Sequence, residues 1–245
     1  MKNLLLLLTF TLISFLSISQ TILSWNIQNL GETKYKKDSV VTQISNVIKS
    51  SNADVIAIQE VVTSNYGDSC INKIANLIDY NYVISNRTTG DGSERYAFLY
   101  RKTIKLNWST LDTLLQDSLD REPFVASFKI KKKDITIRQV HLVPKSKNPQ
   151  QEVEDLYCYK DGVICGDFNL TCKHLIYIPL LTYFNSPLCG LGTSLKRDGT
   201  VSDNNYDHFF VGKKYQILSS KVYLYKFSGN RNLLSDHLPI LIKIK

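Results

Sequence analysis

The chain lacks the cysteine clusters that would indicate a structural zinc site. Its 245 residues include five cysteines and four histidines, but no close pair of cysteines with histidines nearby. We therefore predict no zinc. Cys165 lies inside an apolar run, which favours a small buried side chain over a bridge partner. Cys172 and Cys189 flank a loop-rich segment and form the preferred disulfide pair of an exported chain.

Internal repeats, low-complexity tracts and proline-rich or serine-rich linkers are also missing. Nothing in the composition therefore divides the chain, and sandwiches of about this size commonly remain undivided. We predict one catalytic domain over residues 20–245. No acidic loop has the ligand spacing of a calcium site.

One long apolar run stands at the N-terminus. Lys2 precedes the uncharged stretch LLLLLTFTLISFLSI, and Ser17 and Ser19 are the small residues that a signal peptidase requires. We expect residues 1–19 to be a signal peptide, so that the protein is secreted or periplasmic and begins at Gln20. The alternative is an uncleaved membrane anchor, for which the stretch is short.

Negative charge is in the minority. The formal net charge is +8, and losing Lys2 with the signal peptide leaves +7, since 8 − 1 = 7. A basic surface supports solubility, and it also attracts polyanions such as nucleic acid or anionic lipid. Charge alone does not choose between these partners. We expect a monomer without stable membrane association.

Helical patterns are few, whereas strand patterns are many. Apolar spacing predicts helices over 38–50, with Asp38 as N-cap, and over 68–78. Ten strands are predicted, over residues 22–27, 54–61, 82–86, 95–101, 124–130, 134–142, 162–168, 206–212, 221–227 and 237–244. This balance indicates an α/β fold, a four-layer α/β/β/α sandwich of two packed, mostly antiparallel sheets flanked by helices.

Four apolar runs end in residues that bind metal ions or handle protons. These residues are Asn26, Glu60, Asp167 with Asn169, and Asp236 with His237. Buried strands end at the rim of a sheet, where ligands bind, so the pattern predicts an active site. The oxygens of Asn26, Glu60 and Asp236 suit Mg²⁺ or Mn²⁺. Asp167 would orient and deprotonate water, with Asn169 as a neutral positioner.

Two of the scarce histidines, His141 and His237, also lie at apolar runs. A histidine needs a carboxylate to fix its tautomer or stabilise its cation, and Glu94 and Asp207 are available near strands. Either histidine alone is more simply structural, but the two together with the metal set indicate catalysis. The remaining two, His174 and His208, are interpreted as structural.

Taken in order, eight motifs resemble the endonuclease/exonuclease/phosphatase superfamily and, within it, the deoxyribonuclease I family. They run from about Ile22 to Ile244 and read WNIQNLGETK, IQEV, SERYAFLYR, DREPFVASF, VHLVP, GDFN, YDHFFV and SDHLPI. NIQNLGETK, ERYAFLYR and REPF are closer to deoxyribonuclease I than to the superfamily at large. The resemblance implies a metal-dependent DNA endonuclease of low sequence specificity that leaves 5′-phosphorylated products.

The same resemblance assigns roles to residues. It implies a metal group of Asn26, Glu60 and Asp236, with Asn169 serving the phosphate or a second cation beside Asp167. It pairs Glu94 with His141 and Asp207 with His237 as dyads that face the scissile phosphate. Arg121 would contact the nucleic-acid backbone. Scattered lysines, such as Lys34, Lys36 and Lys37, would line the path of the same backbone. The cofactor would be Mg²⁺ or Mn²⁺, with Ca²⁺ open as a structural or co-activating ion.

Three positions depart from the family pattern. Val62 stands where the family has an arginine, and Gly92 where it has a tyrosine. Both family residues enter the minor groove of DNA, so their loss predicts weaker groove binding and a shift towards single strands. Asn204 replaces the expected partner of Cys172, for which Cys189 is the substitute.

Two other functions compete with the nuclease. One is a secreted sphingomyelinase-like phospholipase C that acts on lipid headgroups, which requires an exposed apolar loop that the sequence does not display. The other is an inactive binding member of the superfamily, which the intact pairs of carboxylate and histidine disfavour.

Overall fold

A computed structural model describes residues 19–90, 94–130, 132–176, 178–186, 188–224, 231 and 233–245. The predicted signal peptide lies outside these residues except for Ser19, and so does Gly92. The described strands, in chain order, are β1 (Gln20–Leu30), β2 (Val55–Val62), β3 (Tyr80–Ile84), β4 (Glu94–Arg101), β5 (Lys105–Leu111), β6 (Phe124–Ile130), β7 (Lys133–His141), β8 (Val163–Asp167), β9 (Phe184–Asn185), β10 (Asp207–Gly212), β11 (Ile217–Val222) and β12 (Ile240–Ile244).

These strands form two six-stranded sheets. The spatial order is β11-β12-β1-β2-β4-β3 in the first sheet and β5-β6-β7-β8-β10-β9 in the second. Each sheet has one parallel pair at its centre, β1 with β2 and β7 with β8, and its other pairs are antiparallel. The prediction of mostly antiparallel sheets is confirmed.

Helices cover the outer faces unequally. The described helices are α1 (Glu32–Tyr35), α2 (Asp38–Ser51), α3 (Asn65–Ile78), α4 (Pro149–Asp155) and α5 (Cys172–Leu175), with single 3-10 turns at Thr113–Leu115, Lys145–Lys147, Leu156–Cys158 and Pro179–Thr182. Helices α2 and α3 bury one apolar face each against the first sheet. The second sheet is covered by short helices and loops.

The core between the sheets is built from alternate strand residues. Ile22, Val55, Phe98 and Phe128 point inward and are fully buried there. Their neighbours along each strand point outward to the helices, as the two-residue period of a strand requires. The four layers therefore follow from strands that are apolar on both faces.

Three details of the helices and strands differ from expectation. Helix α2 begins at Asp38 itself, Lys37 is its N-cap without a side-chain bond, and the Asp38 carboxylate pairs with Lys73 on α3. Strand β5 was not predicted, because it is a half-exposed edge strand without a continuous apolar face. Strand β11 begins at Ile217, earlier than the strand predicted over residues 221–227.

Cysteine pairing follows the prediction. A disulfide joins Cys172 to Cys189, and Cys165 is a buried free thiol on β8. Among the helices of the described ranges, none is long and apolar enough to cross a membrane.

Candidate active site

The parallel pair of the first sheet ends in an amide and a carboxylate that touch. The amide nitrogen of Asn26, on β1, donates to Glu60 Oε1 at 2.8 Å and to Asp167 Oδ2 of the second sheet at 3.1 Å. Ser235 fixes the Asn26 backbone by donating to its carbonyl at 2.7 Å. One fully buried amide therefore bridges the two sheets at their rim.

Glu60 has an unusual backbone. Its φ is +61°, in the left-handed region that non-glycine residues avoid, and the pairing of β2 with β4 shifts register between Ile58 and Val61. The bulge turns the carboxylate towards the rim, where its Oε2 accepts from the Asn29 N–H at 2.8 Å. Strain of this kind concentrates at functional sites.

The parallel pair of the second sheet ends in a histidine and a carboxylate. His141 and Asp167 are register partners on β7 and β8. His141 Nδ1 lies 2.8 and 3.0 Å from the two carboxylate oxygens of Glu94. Its Nε2 faces Asp167 Oδ2 at 3.7 Å. The predicted dyad of Glu94 and His141 is therefore formed.

The second dyad lies on the other side of Asp167. His237 Nδ1 is 2.8 Å from Asp207 Oδ2, and its Nε2 is 3.4 Å from Asp167 Oδ2. Asp207 and Asp167 are register partners on β10 and β8. Both imidazoles thus present Nε2 to one carboxylate oxygen, with each Nδ1 anchored by a separate carboxylate.

The charges of these groups are set by burial and by each other. Burial opposes the cationic form of both histidines, but Glu94 with Asp167 raises the pKa of His141, and Asp207 with Asp167 raises the pKa of His237 well above its usual value. Burial would raise the pKa of Asp167, yet His237 and His141 lower it. Asp167 is therefore ionised at neutral pH and His237 is an imidazolium.

Two predicted metal ligands lie at the margin of this group. Asp236 precedes His237 and directs its carboxylate to Arg231 at 3.3 Å. The Asn169 backbone N–H donates to Asp167 Oδ1 at 2.9 Å, and the Asn169 side-chain amide donates to the Leu142 carbonyl at 2.9 Å. Both residues are close to the dyads in the chain, and their role as ligands stays a prediction.

Arg121, the predicted contact of the nucleic-acid backbone, lies directly behind the first dyad. It is 8% exposed, and its guanidinium donates to the carbonyls of His141 and Leu142 at 2.7 Å each. Its Nε also lies 3.0 Å from Glu94 Oε1. Arg121 therefore holds the Glu94–His141 dyad in position, and its contact with the nucleic-acid backbone stays a prediction.

Lys34 also differs from its predicted place on a phosphate path. It is buried, and its ammonium group donates to the carbonyls of Ile27 and Gln28. Burial lowers the pKa of Lys34 to about 8, against the charges of Glu60 and Asp236. Lys34 therefore stabilises the part of β1 that follows Asn26. Lys36 pairs with Glu32, and Lys37 is exposed.

The donor set of this rim fits a hard divalent cation. Glu60 and Asp167 converge on the same amide nitrogen, which neutralises their charge only in part. Asp167, Asp207 and His237 place ligand-type atoms within 4.8 Å of one another, but His237 as an imidazolium has no free lone pair for a cation. Oxygen-rich ligands of this type suit Mg²⁺ or Mn²⁺. The Asn26 side-chain oxygen accepts from the Gln28 N–H at 2.9 Å. The carboxylates are therefore the clearest ligands for the cation.

Sequence reasoning missed several supporting residues. The Tyr96 hydroxyl accepts the His141 N–H at 3.1 Å, and Glu152 accepts the N–H groups of Asp120 and Val143 at 2.7 Å each. Tyr96 follows Glu94 at the two-residue spacing of a strand face, which is a usable signal. Glu152 lies in a short helix remote in sequence, and no pattern indicates it.

Comparison with known proteins identifies the class. The chain belongs to the Endonuclease/Exonuclease/phosphatase family, whose model matches residues 23–237. Deoxyribonuclease gamma of Homo sapiens is 27% identical across 94% of this chain and 87% of its own length. Deoxyribonuclease-1 of Homo sapiens is 26% identical across 65% of this chain and 64% of its own.

A solved structure supports the same fold. An endonuclease/exonuclease/phosphatase family protein from Bacteroides thetaiotaomicron matches with a TM-score of 0.70 and 14% identity, covering 92% of this chain and 97% of that one. The predicted α/β sandwich is confirmed. So are the resemblance to deoxyribonuclease I and the expectation of a hydrolase of that type.

Proposed function

We propose that this chain is a secreted, divalent-cation-dependent DNA endonuclease that hydrolyses phosphodiester bonds with low sequence specificity. The observation that carries the proposal is the convergence of two histidine–carboxylate dyads on Asp167, beside the contact of Asn26 with Glu60. This arrangement suits a phosphate that lies between the two imidazoles. Two deoxyribonucleases among the similar proteins support DNA as the substrate.

Attack by water is the first task of such a site. Asp167 is buried and ionised, and its Oδ2 lies between both histidines, so it is the group best able to orient a water molecule and accept its proton. Asn169 keeps the other oxygen, Oδ1, engaged at 2.9 Å. Oδ2, which also accepts from the Asn26 amide at 3.1 Å, is the oxygen that would face the water.

Stabilisation of the charged transition state is the second task. The His237 imidazolium can donate from Nε2 to a phosphoryl oxygen, because Asp207 holds the ring through Nδ1. His141 is held in the same way by Glu94, which is itself fixed by Arg121. The proton that the departing 3′ oxygen needs is available from these two rings, and the product keeps its 5′-phosphate.

A divalent cation held by Glu60 and its neighbours would neutralise a phosphoryl oxygen and stabilise the departing oxygen. Glu60, Asp236, Asn26 and Asn169 are the residues we propose for this role, with Mg²⁺ or Mn²⁺ as the ion. In the bound state, Asn26 would keep the two sheets in register through its bridging amide.

Export is supported by the disulfide between Cys172 and Cys189, since such bonds persist in oxidising compartments. We propose that residues 1–19 are removed and that the mature protein is a monomer that acts outside the cytoplasm. Lipid headgroups are the alternative substrate, and the experiment below separates the two.

The proposal is tested with the mature chain, residues 20–245, on supercoiled plasmid and on sphingomyelin vesicles. Magnesium-dependent nicking that chelator abolishes, with no release of phosphocholine, is expected. A His237→Ala variant with the same thermal midpoint should nick at a rate lower by about 10²–10⁴. If phosphocholine is released from the vesicles and the plasmid stays intact, the protein is a lipid phosphodiesterase and not a nuclease. No turnover of either substrate would favour the inactive member.

A further inference from the structure

A pocket of about 340 Å³ opens beside the proposed catalytic centre on the side of the second sheet. Asn169, which is bonded to Asp167 through its backbone N–H, forms part of the wall. The rest of the wall comes from loops after β7, after β8 and before β10. These are the strands that carry His141, Asp167 and Asp207, so the pocket is continuous with the site.

The wall of the pocket is basic and polar. Lys145 and Lys173 are exposed there, and neither lysine belongs to an ion pair in the part of the chain that the structure describes. Asn204 adds an exposed amide, and Asp203 is the one carboxylate of the lining. Two unpaired ammonium groups against one carboxylate favour an anionic ligand with hydrogen-bonding edges.

The wall is also held in place before any ligand binds. The disulfide of Cys172 with Cys189 ties its two sides together. Buried Asn205 accepts the Cys172 N–H at 3.2 Å, and the Thr171 hydroxyl lies 3.0 Å from His174 Nδ1. A pocket fixed in this way loses little freedom when it is occupied, which favours binding.

We propose that this pocket is a nucleotide subsite, which takes one unstacked nucleotide of the bound strand next to the cleaved bond. The inference rests on the proposed phosphodiesterase function. The pocket is at the small end of the range for ligand sites, which suits a single nucleotide. Lys145 and Lys173 would bind its phosphate, and Asn204 would face its base.

The subsite predicts a preference for single strands. A nucleotide of a duplex is stacked and paired, so it must be extruded before it can enter a pocket, whereas a single strand supplies it directly. Val62 contributes no cation to a duplex on the first-sheet side, and its side chain packs against Gly31. The unpaired cations of the second-sheet side would therefore direct the strand.

Binding in the presence of chelator tests the subsite without hydrolysis. A fluorescent single-stranded oligodeoxynucleotide is titrated with the mature chain, with Lys145→Ala/Lys173→Ala, and with the charge-matched control Lys49→Ala/Lys132→Ala. Both control lysines are exposed; Lys49 is in the last turn of α2, and Lys132 directly precedes β7, whose other end is His141. We expect Kd to rise about tenfold for the pocket variant and less than threefold for the control. Equal losses in both variants would overturn the subsite.

Cleavage of an abasic strand shows whether a base enters the pocket. A single abasic position is moved along an end-labelled strand, and the cut sites are mapped with Mg²⁺. A subsite predicts that cleavage falls several-fold at one fixed offset from the missing base, and that the offset effect disappears in the pocket variant. Cleavage that ignores the abasic position would overturn the proposal. Normal pocket-dependent binding without any cleavage would instead contradict the nuclease function.

Discussion

The two sheets carry their functional side chains on equivalent strands. In the first sheet, the regular pairing of β1 with β2 breaks at Asn26, next to Glu60; in the second, the parallel pair β7 and β8 ends in His141 and Asp167. The ends meet at one rim, where the Asn26 amide bonds to both Glu60 and Asp167. The first pair offers oxygen ligands and the second offers His141 and Asp167, whereas His237 precedes β12 and Glu94 begins β4, both in the first sheet.

The sheets differ in what covers them. Two 14-residue helices, α2 and α3, pack on the first sheet, whereas α4 on the second has 7 residues. The loops of the second sheet take up the remaining chain and build the pocket beside Asn169. The helix-covered sheet thus supplies a stable frame, and the loop-covered sheet supplies the surface that contacts substrate.

Removal of a proton-handling group from the second sheet should have the largest effect. His141→Ala should lower kcat for plasmid nicking by about 10²–10⁴, because the ring held by Glu94 no longer donates to the phosphate. Thermal unfolding should be nearly unchanged. A rate within about threefold of the parent would exclude the Glu94–His141 dyad from catalysis.

Weakening the contacts that hold the Glu94–His141 dyad in place should have a smaller effect on turnover. Arg121→Lys keeps a charge but cannot bond both carbonyls and Glu94 at once, so kcat should fall about tenfold with KM nearly constant. Steady-state kinetics on a short oligonucleotide check this. A change confined to KM would instead indicate that Arg121 acts mainly by contacting the nucleic-acid backbone.

Stability should separate the two coverings. Val41 is fully buried on α2 and Val153 is fully buried on α4. Val41→Ala and Val153→Ala remove the same two methyl groups, so each should lower the free energy of unfolding by about 1–3 kcal/mol, with the larger loss at Val41 because the longer helix packs on the first sheet. Urea midpoints measure both. A larger loss at Val153 would show that the second covering is the frame.

The smallest effect expected is a difference in titration between histidines. In the metal-free chain, NMR should show His141 and His237 titrating above the usual pKa of about 6.5, and His208 below it. The stability that the raised pKa values of the two histidines contribute is full below a pH of about 6.5 and is lost as pH rises through those pKa values. Buried His208 acts in the opposite sense. A His237 that titrates below His208 would contradict the ion pairs.

Much of the first sheet is predictable because its signals are local. The apolar spacing of α2 and α3 and the run before Glu60 each lie within one segment, and the structure contains all three. Strand β5 and the short helices of the second sheet have weak local patterns, since tertiary contacts define them.

The same division holds for the site. The dyads were inferred from residue types at strand ends, and the resemblance paired them as the structure does. The inward position of Arg121 and the burial of Lys34 depend on carbonyl groups that no sequence pattern displays. Bonds from buried side chains to backbone carbonyls are therefore the feature of this site that sequence patterns do not predict.

The division of labour between the two parallel strand pairs has one direct test. Single-turnover cleavage of an oligonucleotide is measured against Mg²⁺ concentration for the parent chain, Glu60→Gln and His141→Ala. We predict that Glu60→Gln moves the midpoint to a higher Mg²⁺ concentration and approaches the parent rate at saturation. His141→Ala should keep the midpoint and lose most of the rate at saturating Mg²⁺. A shift of midpoint in His141→Ala with an unchanged midpoint in Glu60→Gln would contradict this division of labour.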